Sequence, residues 1–362
     1  MTGLVDWGLA EATAKRLLAA GPRIDRAEAD LVVAELGRLA AEAAGHVERT
    51  TGLTPAGDPG GVAVVDRSAW VASNVASLRL LAGPLLEQLT QREGTAPGRL
   101  TVAAGRRLTG LQVGALLAFL AGKVLGQYEV FLPDAAAGRL TLVAPNIVAA
   151  ERALRVDPHD FRLWVCLHEQ AHRTQFTAVP WLRDHLEGLV RELATTTDLD
   201  PAHLASRLRE AVSALRGSAA ADGTTRSFVE ALQSPEQRLV LDRVQALMTL
   251  LEGHAEWVMD AVGPEVVPSV REIRAAFEAR RGGTPGLSGV LDRLLRRLLG
   301  LDLKLEQYRR GAVFVRTVVA ASGVSGLNTV WESPATLPTR SELADPTGWM
   351  RRVLGSAATL PA

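Results

Sequence analysis

The stretch Asp157-Pro-His-Asp-Phe-Arg-Leu-Trp-Val-Cys-Leu-His-Glu-Gln-Ala-His172 decides how this sequence is interpreted. Its aspartate is a favoured helix N-cap residue, and proline suits the first helical position, where no backbone N–H is needed. The helix that they open is predicted to run to about Phe176. His168 and His172 are spaced i and i+4, one turn apart on the same face, so both imidazoles can bind one metal ion.

The residues around the two histidines predict a catalytic rather than a purely structural site. Glu169 is rotated by about 100° from His168, beside the ion rather than on it, where a general base takes a proton from an activated water. Catalytic zinc sites use three protein ligands, so a third is needed. Gln175 and Ala178 stand where the metzincin pattern requires glycine and histidine, which disfavours that class. A carboxylate on a later helix is the alternative.

The rest of the chain predicts a mainly α protein with a small β-sheet (α+β). Apolar residues recur at three- and four-residue spacing along most of it. Tyr128-Glu-Val-Phe-Leu-Pro and Leu140-Thr-Leu-Val-Ala-Pro are β-prone runs that suggest a hairpin or two strands of one sheet. The predicted helices are 8–20, 25–46, 66–92, 101–125, 181–195, 201–216, 227–261, 267–281, 287–299, 302–322 and 347–354.

The domain organisation follows from one clear break. Gly94-Thr-Ala-Pro-Gly98 ends a helical segment, because glycine and proline interrupt helices. We therefore expect an N-terminal helical region, 1–100, and a catalytic region, 101–362, packed together as one continuous unit. The 362 residues, 47% of them apolar, are enough for one large core or two ordinary ones.

Composition excludes several classes of partner and compartment. The 40 basic and 40 acidic residues balance, so we expect no general attraction to nucleic acid or to an anionic membrane. A single cysteine, Cys166, excludes an intramolecular disulfide framework. Asp6 and Glu11 interrupt the apolar run that a signal peptide needs. The stretch Val113–Gly122 has about half of the ~20 residues of a spanning helix, so we expect a soluble, cytoplasmic protein.

A later segment supplies a candidate third ligand. Glu252-Gly-His-Ala-Glu-Trp257 resembles the glutamate-glycine-x-alanine-x-aromatic segment of gluzincin peptidases. The resemblance implies that Glu252 completes a Zn²⁺ site in a zincin-like metallopeptidase fold. It also implies that Glu256, one helical turn later, orients a zinc histidine from outside the ligand set. The 79 residues between His172 and Glu252 exceed the separation in the best-known gluzincins.

Three further candidates surround this site. His254 lies about 200° around the helix from Glu252. It is therefore a ligand only if the helix is broken there, and otherwise lines the cleft near a developing oxyanion or is a buried, hydrogen-bonded histidine. Tyr308 can donate a phenolic hydrogen bond to the oxyanion or simply pack in the core. Leu140 to Ala144 is the candidate strand for pairing with an extended substrate.

A broader resemblance covers most of the chain. It is to a largely uncharacterised family of zincin-like hydrolases of actinobacteria and relatives, one branch of which is associated with biosynthesis of the deazaflavin coenzyme. That association reflects which genes lie near one another, so it implies neither deazaflavin binding nor a biosynthetic step. The resemblance rests on Val5-Asp-Trp7, Leu142-Val-Ala-Pro-Asn146, the His168 motif, Leu251-Glu-Gly-His-Ala-Glu-Trp-Val-Met-Asp260, Gln307-Tyr-Arg-Arg-Gly311 and Gly326-Leu-Asn-Thr-Val-Trp-Glu-Ser-Pro334.

The leading hypothesis is a zinc-dependent hydrolase that acts on a peptide or amide bond. In it His168, His172 and Glu252 bind zinc, and Glu169 activates water. One alternative is a catalytically silent, zinc-stabilised scaffold or binding protein, which a closed fourth coordination position would favour. The other is a metal-free helical protein whose two histidines pack in the core.

Overall fold

The computed structural model describes residues 4–58, 60–92, 99–135, 137–196, 234–281 and 301–355, and leaves out the side chains of 301–309 and of some other helical positions. These ranges are mostly helical with a small three-stranded sheet, which confirms the predicted fold class. The helices predicted at 201–216 and 287–299 lie outside the described residues. The elements are α1 (Trp7–Leu17), α2 (Arg26–Thr51), β1 (Gly61–Val65), α3 (Arg67–Arg92), α4 (Arg99–Ala121), β2 (Gly126–Glu129), β3 (Arg139–Val143), α5 (Ala144–Leu154), α6 (Pro158–Ala178), α7 (Leu182–Thr196), α8 (Pro235–Ala261), α9 (Val270–Arg281), α10 (Leu301–Asn328), α11 (Arg340–Ala344) and α12 (Pro346–Leu354), with 3₁₀ turns at Thr329–Trp331 and Pro334–Thr336.

The sheet has β3 at its centre. β3 pairs in parallel with β1 and antiparallel with β2, in the order β1-β3-β2. The predicted pairing of the two β-prone runs is therefore confirmed, although β2 begins and ends earlier than its run. The sequence analysis assigned no strand to Gly61–Val65, so β1 is the strand that it missed.

The largest hydrophobic core holds the elements that matter for function. It joins α2, α6, α8 and α10 to the inner face of the sheet. Leu36, Leu167, Leu250 and Phe314, one from each of these helices, are completely buried. Packing of apolar side chains on both sides of α6 fixes that helix near the centre of the protein.

A smaller core lies between α1, α3 and α4. Ala14, Trp70 and Leu117 are buried in it, and a Cβ at Gly114 would come within 2.5 Å of the Ala10 carbonyl oxygen. α4 of the predicted catalytic region thus packs on α1 and α3 of the predicted N-terminal region, and α2 packs on α6. The division near residue 100 itself stays a prediction.

One described segment, Arg310–Trp331, is long and apolar enough to cross a membrane by length and composition alone. Core helices of soluble proteins share this length and composition, and 28% of the most apolar stretch of the segment is buried inside the protein. Within the segment Arg316 forms an ion pair with Asp260, and Gly323 breaks the helical geometry at φ 71° and ψ 179°.

Candidate metal centre

Helix α6 carries both histidines and begins as its sequence predicts. The Asp157 carboxylate accepts a hydrogen bond from the backbone N–H of Asp160 at 3.0 Å, and Pro158 occupies the first turn. His168 and His172 lie one turn apart with their rings edge to face and 4.7 Å between centroids. Their Nε2 atoms face one another at 3.2 Å. Two imidazole nitrogens therefore converge on one point.

Helix α8 brings Glu252 to the same point. The helix opens with a capping box in which Ser234 and Gln237 bond reciprocally to each other's backbone N–H. Beside Glu252, Gly253 packs directly on α10, where an added Cβ would lie 2.1 Å from the carbonyl carbon of Gly311. Only two glycines permit so close a crossing of helices, and this crossing sets the position of the Glu252 backbone.

The three candidate ligands form a nearly regular triangle. Glu252 Oε2 lies 3.6 Å from His168 Nε2 and 3.6 Å from His172 Nε2, which completes the triangle begun by the two histidines. These atoms all lie within 4.8 Å of one another. The point equidistant from them is about 2.0 Å from each, the length of a zinc–nitrogen or zinc–oxygen bond. The donor set and the spacing therefore both fit a zinc ion.

The charges in the triangle favour a cation. Burial lowers the pKa of His172, but the Glu252 and Glu169 carboxylates and the bond with Gln175 outweigh it and raise that pKa to about 9. Burial and the neighbouring His172 lower the pKa of His168 to about 4. His172 is therefore protonated and pairs with the Glu252 carboxylate, whereas His168 is neutral. A metal ion would take the place of that proton.

Glu169 lies beside the triangle, against the sheet. Its side chain is 95% buried, and an added Cβ at Gly126 of β2 would come within 2.5 Å of its Cγ. Burial raises the pKa of Glu169 to about 7, with Glu252 adding to the rise and His172 opposing it. A carboxylate that exchanges its proton near neutral pH is suited to general acid–base chemistry.

Comparisons with known proteins identify the family of this chain. A family model described as zincin-like metallopeptidase matches residues 5–350. The chain belongs to that family. A crystal structure of "a putative hydrolase with a novel fold" from Chloroflexus aurantiacus is similar, with a TM-score of 0.70 and 31% identity over 98% of this chain and 100% of that one. A comparison with curated proteins finds no match.

A zincin-like metallopeptidase implies a metal ion, typically zinc, and the triangle of His168, His172 and Glu252 is where this chain fits one. It is the one such cluster of possible ligands in the described part of the chain. Cys166, close by on α6, is buried, and burial raises the pKa of its thiol, so it remains protonated in the core.

The zincin-like chain does not use Glu256 as its sequence suggests. Glu256 Oε1 lies 3.3 Å from Arg274 Nη1 on α9, and no described contact joins it to either histidine. The expectation that it orients a zinc histidine is therefore corrected. The side chain that contacts the far nitrogen of His172 is Gln175, whose Oε1 lies 3.0 Å from Nδ1. Its position three residues after His172 was the available signal.

His254 is not exposed to a substrate. It is completely buried, with Nδ1 2.9 Å from Gln175 Nε2 and its ring between Trp257 and Trp331. Burial and the neighbouring His172 lower its pKa to about 3, so the ring is neutral. Of the three readings that the sequence left open, the buried, hydrogen-bonded histidine is the one that this environment matches.

The remaining two candidates have different outcomes. Tyr308 belongs to α10, but its side chain lies outside the described part of the structure, so its role as an oxyanion donor stays a prediction. The strand expected to pair with substrate, Leu140 to Ala144, is corrected. It coincides largely with β3, which already has a strand on each side, whereas β2 is an edge strand and contacts Glu169 through Gly126.

Proposed function

We propose that this protein is a zinc-dependent hydrolase of the metallopeptidase type. The observation that carries the proposal is the triangle of two histidine nitrogens and one glutamate oxygen with a buried carboxylate, Glu169, next to it. Membership of the zincin-like metallopeptidase family and similarity to a protein described as a hydrolase support it.

In this proposal each residue has a separate task. His168, His172 and Glu252 would hold a zinc ion, which would act as a Lewis acid and make water acidic enough to react near neutral pH. Glu169 accepts the proton of the attacking water and passes it to the leaving group. Without a metal ion, burial raises the pKa of Glu169 to about 7, and the charge of a bound ion would lower it, which favours the ionised form that a general base needs.

A peptide or amide is the substrate class that best fits the surroundings. β2 is paired on one side by β3, and its first residue, Gly126, touches Glu169. An extended chain that added to the other side of β2 would pass beside the general base, with backbone hydrogen bonds to hold it.

Tyr308 remains the proposed donor to the oxyanion. We expect the protein to act in the cytoplasm.

The test combines metal content with one conservative substitution. Elemental mass spectrometry on protein purified without a chelator or metal-affinity column should find about one zinc per chain, as a three-ligand site requires. Glu169→Gln should keep that zinc and lose ~10²–10⁴-fold in the hydrolysis of peptides that the wild type cleaves in a mixed library.

Each outcome has a clear meaning. Equal rates for Glu169→Gln and wild type would overturn the role of Glu169. Stoichiometric zinc without any zinc-dependent cleavage would favour a silent scaffold instead. His254, buried and bonded to Gln175, does not supply the fourth ligand that such a scaffold would use.

A further inference from the structure

Gln175 touches both helices that carry the candidate ligands. It belongs to α6, is completely buried, and lies one turn after His172. Its Nε2 lies 2.9 Å from the carbonyl oxygen of Leu251, the residue before Glu252 on α8, and 2.9 Å from Nδ1 of His254. Its Oε1 faces His172. All polar atoms of this side chain are therefore used at the back of the triangle.

These contacts determine where the hydrogens are. The Leu251 carbonyl can only accept a hydrogen bond, so the group of Gln175 that faces it is the NH₂, and the oxygen must face His172. An amide oxygen also only accepts, so His172 Nδ1 carries a hydrogen and donates it. The second hydrogen of the Gln175 amide goes to His254, whose Nδ1 must then be unprotonated. His254 therefore carries its hydrogen on Nε2.

We propose that Gln175 is a positioning residue that holds His172 with its hydrogen on Nδ1 and its Nε2 lone pair directed at the metal, and that His254 fixes the orientation of Gln175. This inference rests on the proposed function. A histidine ligand generally donates its other ring N–H to a fixed acceptor, which sets the ring's orientation. Here the acceptor is an amide that also ties α6 to the backbone beside Glu252.

His254 affects the candidate metal site only through its contact with Gln175. Its Nε2 has no hydrogen-bond partner among the described residues, and its ring stands edge-on to Trp331 with 5.4 Å between centroids. An unpaired buried N–H costs free energy. The benefit that offsets this cost is at Nδ1, which has no hydrogen and can therefore accept one from the Gln175 amide. The hydrogen bond to Nδ1 holds the Gln175 amide in the orientation that His172 needs.

The test uses two substitutions at Gln175 and a matched control. Gln175→Met removes both the acceptor and the donors with little change in size, and we expect zinc affinity to fall ~10–100-fold. Gln175→Glu keeps an oxygen toward His172 but loses the N–H donors to Leu251 and His254, so it should lower stability as Gln175→Met does. It should still bind zinc more tightly than Gln175→Met, since a carboxylate is the stronger acceptor for the His172 N–H. Zinc affinity is measured by competition with a chromophoric chelator.

Gln170→Met is the control for loss of a buried glutamine. Gln170 is 1% exposed on the same helix, but it donates to the Ala40 carbonyl at 2.6 Å, on the side away from the triangle. It should lose stability and leave zinc affinity within about threefold of wild type, because no ligand is touched. A structural role for Gln175 alone would weaken zinc binding equally in Gln175→Met and Gln175→Glu, and that result would overturn the inference.

A spectroscopic readout on the wild type does not depend on any variant folding. In ¹⁵N-histidine-labelled, zinc-loaded protein, long-range proton–nitrogen spectra should show a hydrogen on His172 Nδ1 and, for His254, on Nε2 only. A hydrogen on His254 Nδ1, or a His172 Nδ1 without one, would overturn the proposal. Absence of zinc binding by the wild type would instead overturn the proposed function, and the inference with it.

Discussion

The two helices that carry the candidate ligands place them by different means. On α6, His168 and His172 converge because they are one turn apart on a helix whose start is fixed by Asp157. On α8, Glu252 is a single carboxylate, and it reaches the histidines because Gly253 lets α8 pack against Gly311 of α10. The first arrangement is local in sequence, and the second is tertiary.

This difference says where the centre is robust and where it is sensitive. Any condition that keeps α6 helical keeps the two histidines together, because an i, i+4 spacing needs no other contact. The third ligand depends on the fit of two helices whose contacting glycines are 58 positions apart. Small changes in packing should therefore act on Glu252 before they act on the histidine pair.

The largest effect is expected from loss of a ligand on either helix. His172→Ala and Glu252→Ala should each weaken zinc binding by more than ~100-fold, beyond the range for loss of an outer contact. Glu256→Ala, one turn further along α8 and paired with Arg274, is the matched control and should keep one zinc per chain. Elemental analysis after dialysis distinguishes these outcomes. If Glu252→Ala retained its zinc, Glu252 would not be a ligand and α8 would not contribute to the metal centre.

Gly253→Ala should separate the two helices. Its Cβ would lie 2.1 Å from the Gly311 carbonyl carbon, so α8 must move, at a cost of about 1–3 kcal/mol in the free energy of unfolding, with weaker zinc binding. Gly37→Ala in α2 has nothing within 4 Å and should stabilise by ~0.5–1 kcal/mol. Urea unfolding of both variants measures this. A Gly253→Ala protein with wild-type stability and zinc affinity would contradict the tertiary placement of Glu252.

Zinc affinity should rise with pH. The Glu252 and Glu169 carboxylates outweigh the burial of His172 and raise its pKa to about 9, so His172 carries a proton that zinc must displace at neutral pH. Burial lowers the pKa of His168 to about 4, so that ring needs no deprotonation there. The apparent Kd should therefore fall about tenfold per pH unit between ~6 and ~8. Chelator competition at several pH values tests this, and a pH-independent Kd would contradict it.

The smallest effect is expected at the start of α6. Asp157→Ala removes the bond to the Asp160 N–H and should lower the free energy of unfolding by about 1 kcal/mol. Asp157→Asn keeps an acceptor oxygen and should cost much less. Because the histidines lie three turns further on, zinc affinity should be unchanged in both. A large loss of affinity in Asp157→Ala would show that the local arrangement on α6 is less robust than its spacing suggests.

Much of the centre could be predicted because its signals are local. The cap at Asp157, the spacing of His168 and His172, and the position of Glu169 follow from helix geometry, and the structure places all of them as expected. Glu252 was found through its resemblance to a family segment rather than through spacing. The structure brings its carboxylate to the two histidines.

The parts that were missed depend on long-range contacts. β1 is a five-residue strand that pairs with β3, whose residues lie 78 positions further along the chain, and nothing within Gly61–Val65 indicates that partner. Helix α5 was not expected either, because Pro145 looked like the end of a strand rather than the start of a helix. Glu256 has suitable spacing from Glu252, but Arg274 of α9 engages it. Only the fold shows which neighbour a side chain meets.

The close approach of Gly253 to Gly311 has a consequence for how the protein is made. His172 leaves the ribosome well before Gly311, and at ~5–20 residues per second the interval is on the order of ten seconds. During that time the nascent chain can present a two-histidine face without the contact that seats the third ligand. Copper binds imidazole ligands more tightly than zinc does. We therefore expect the identity of the bound metal to depend on when the ion meets the chain during synthesis, as well as on its affinity for the completed site.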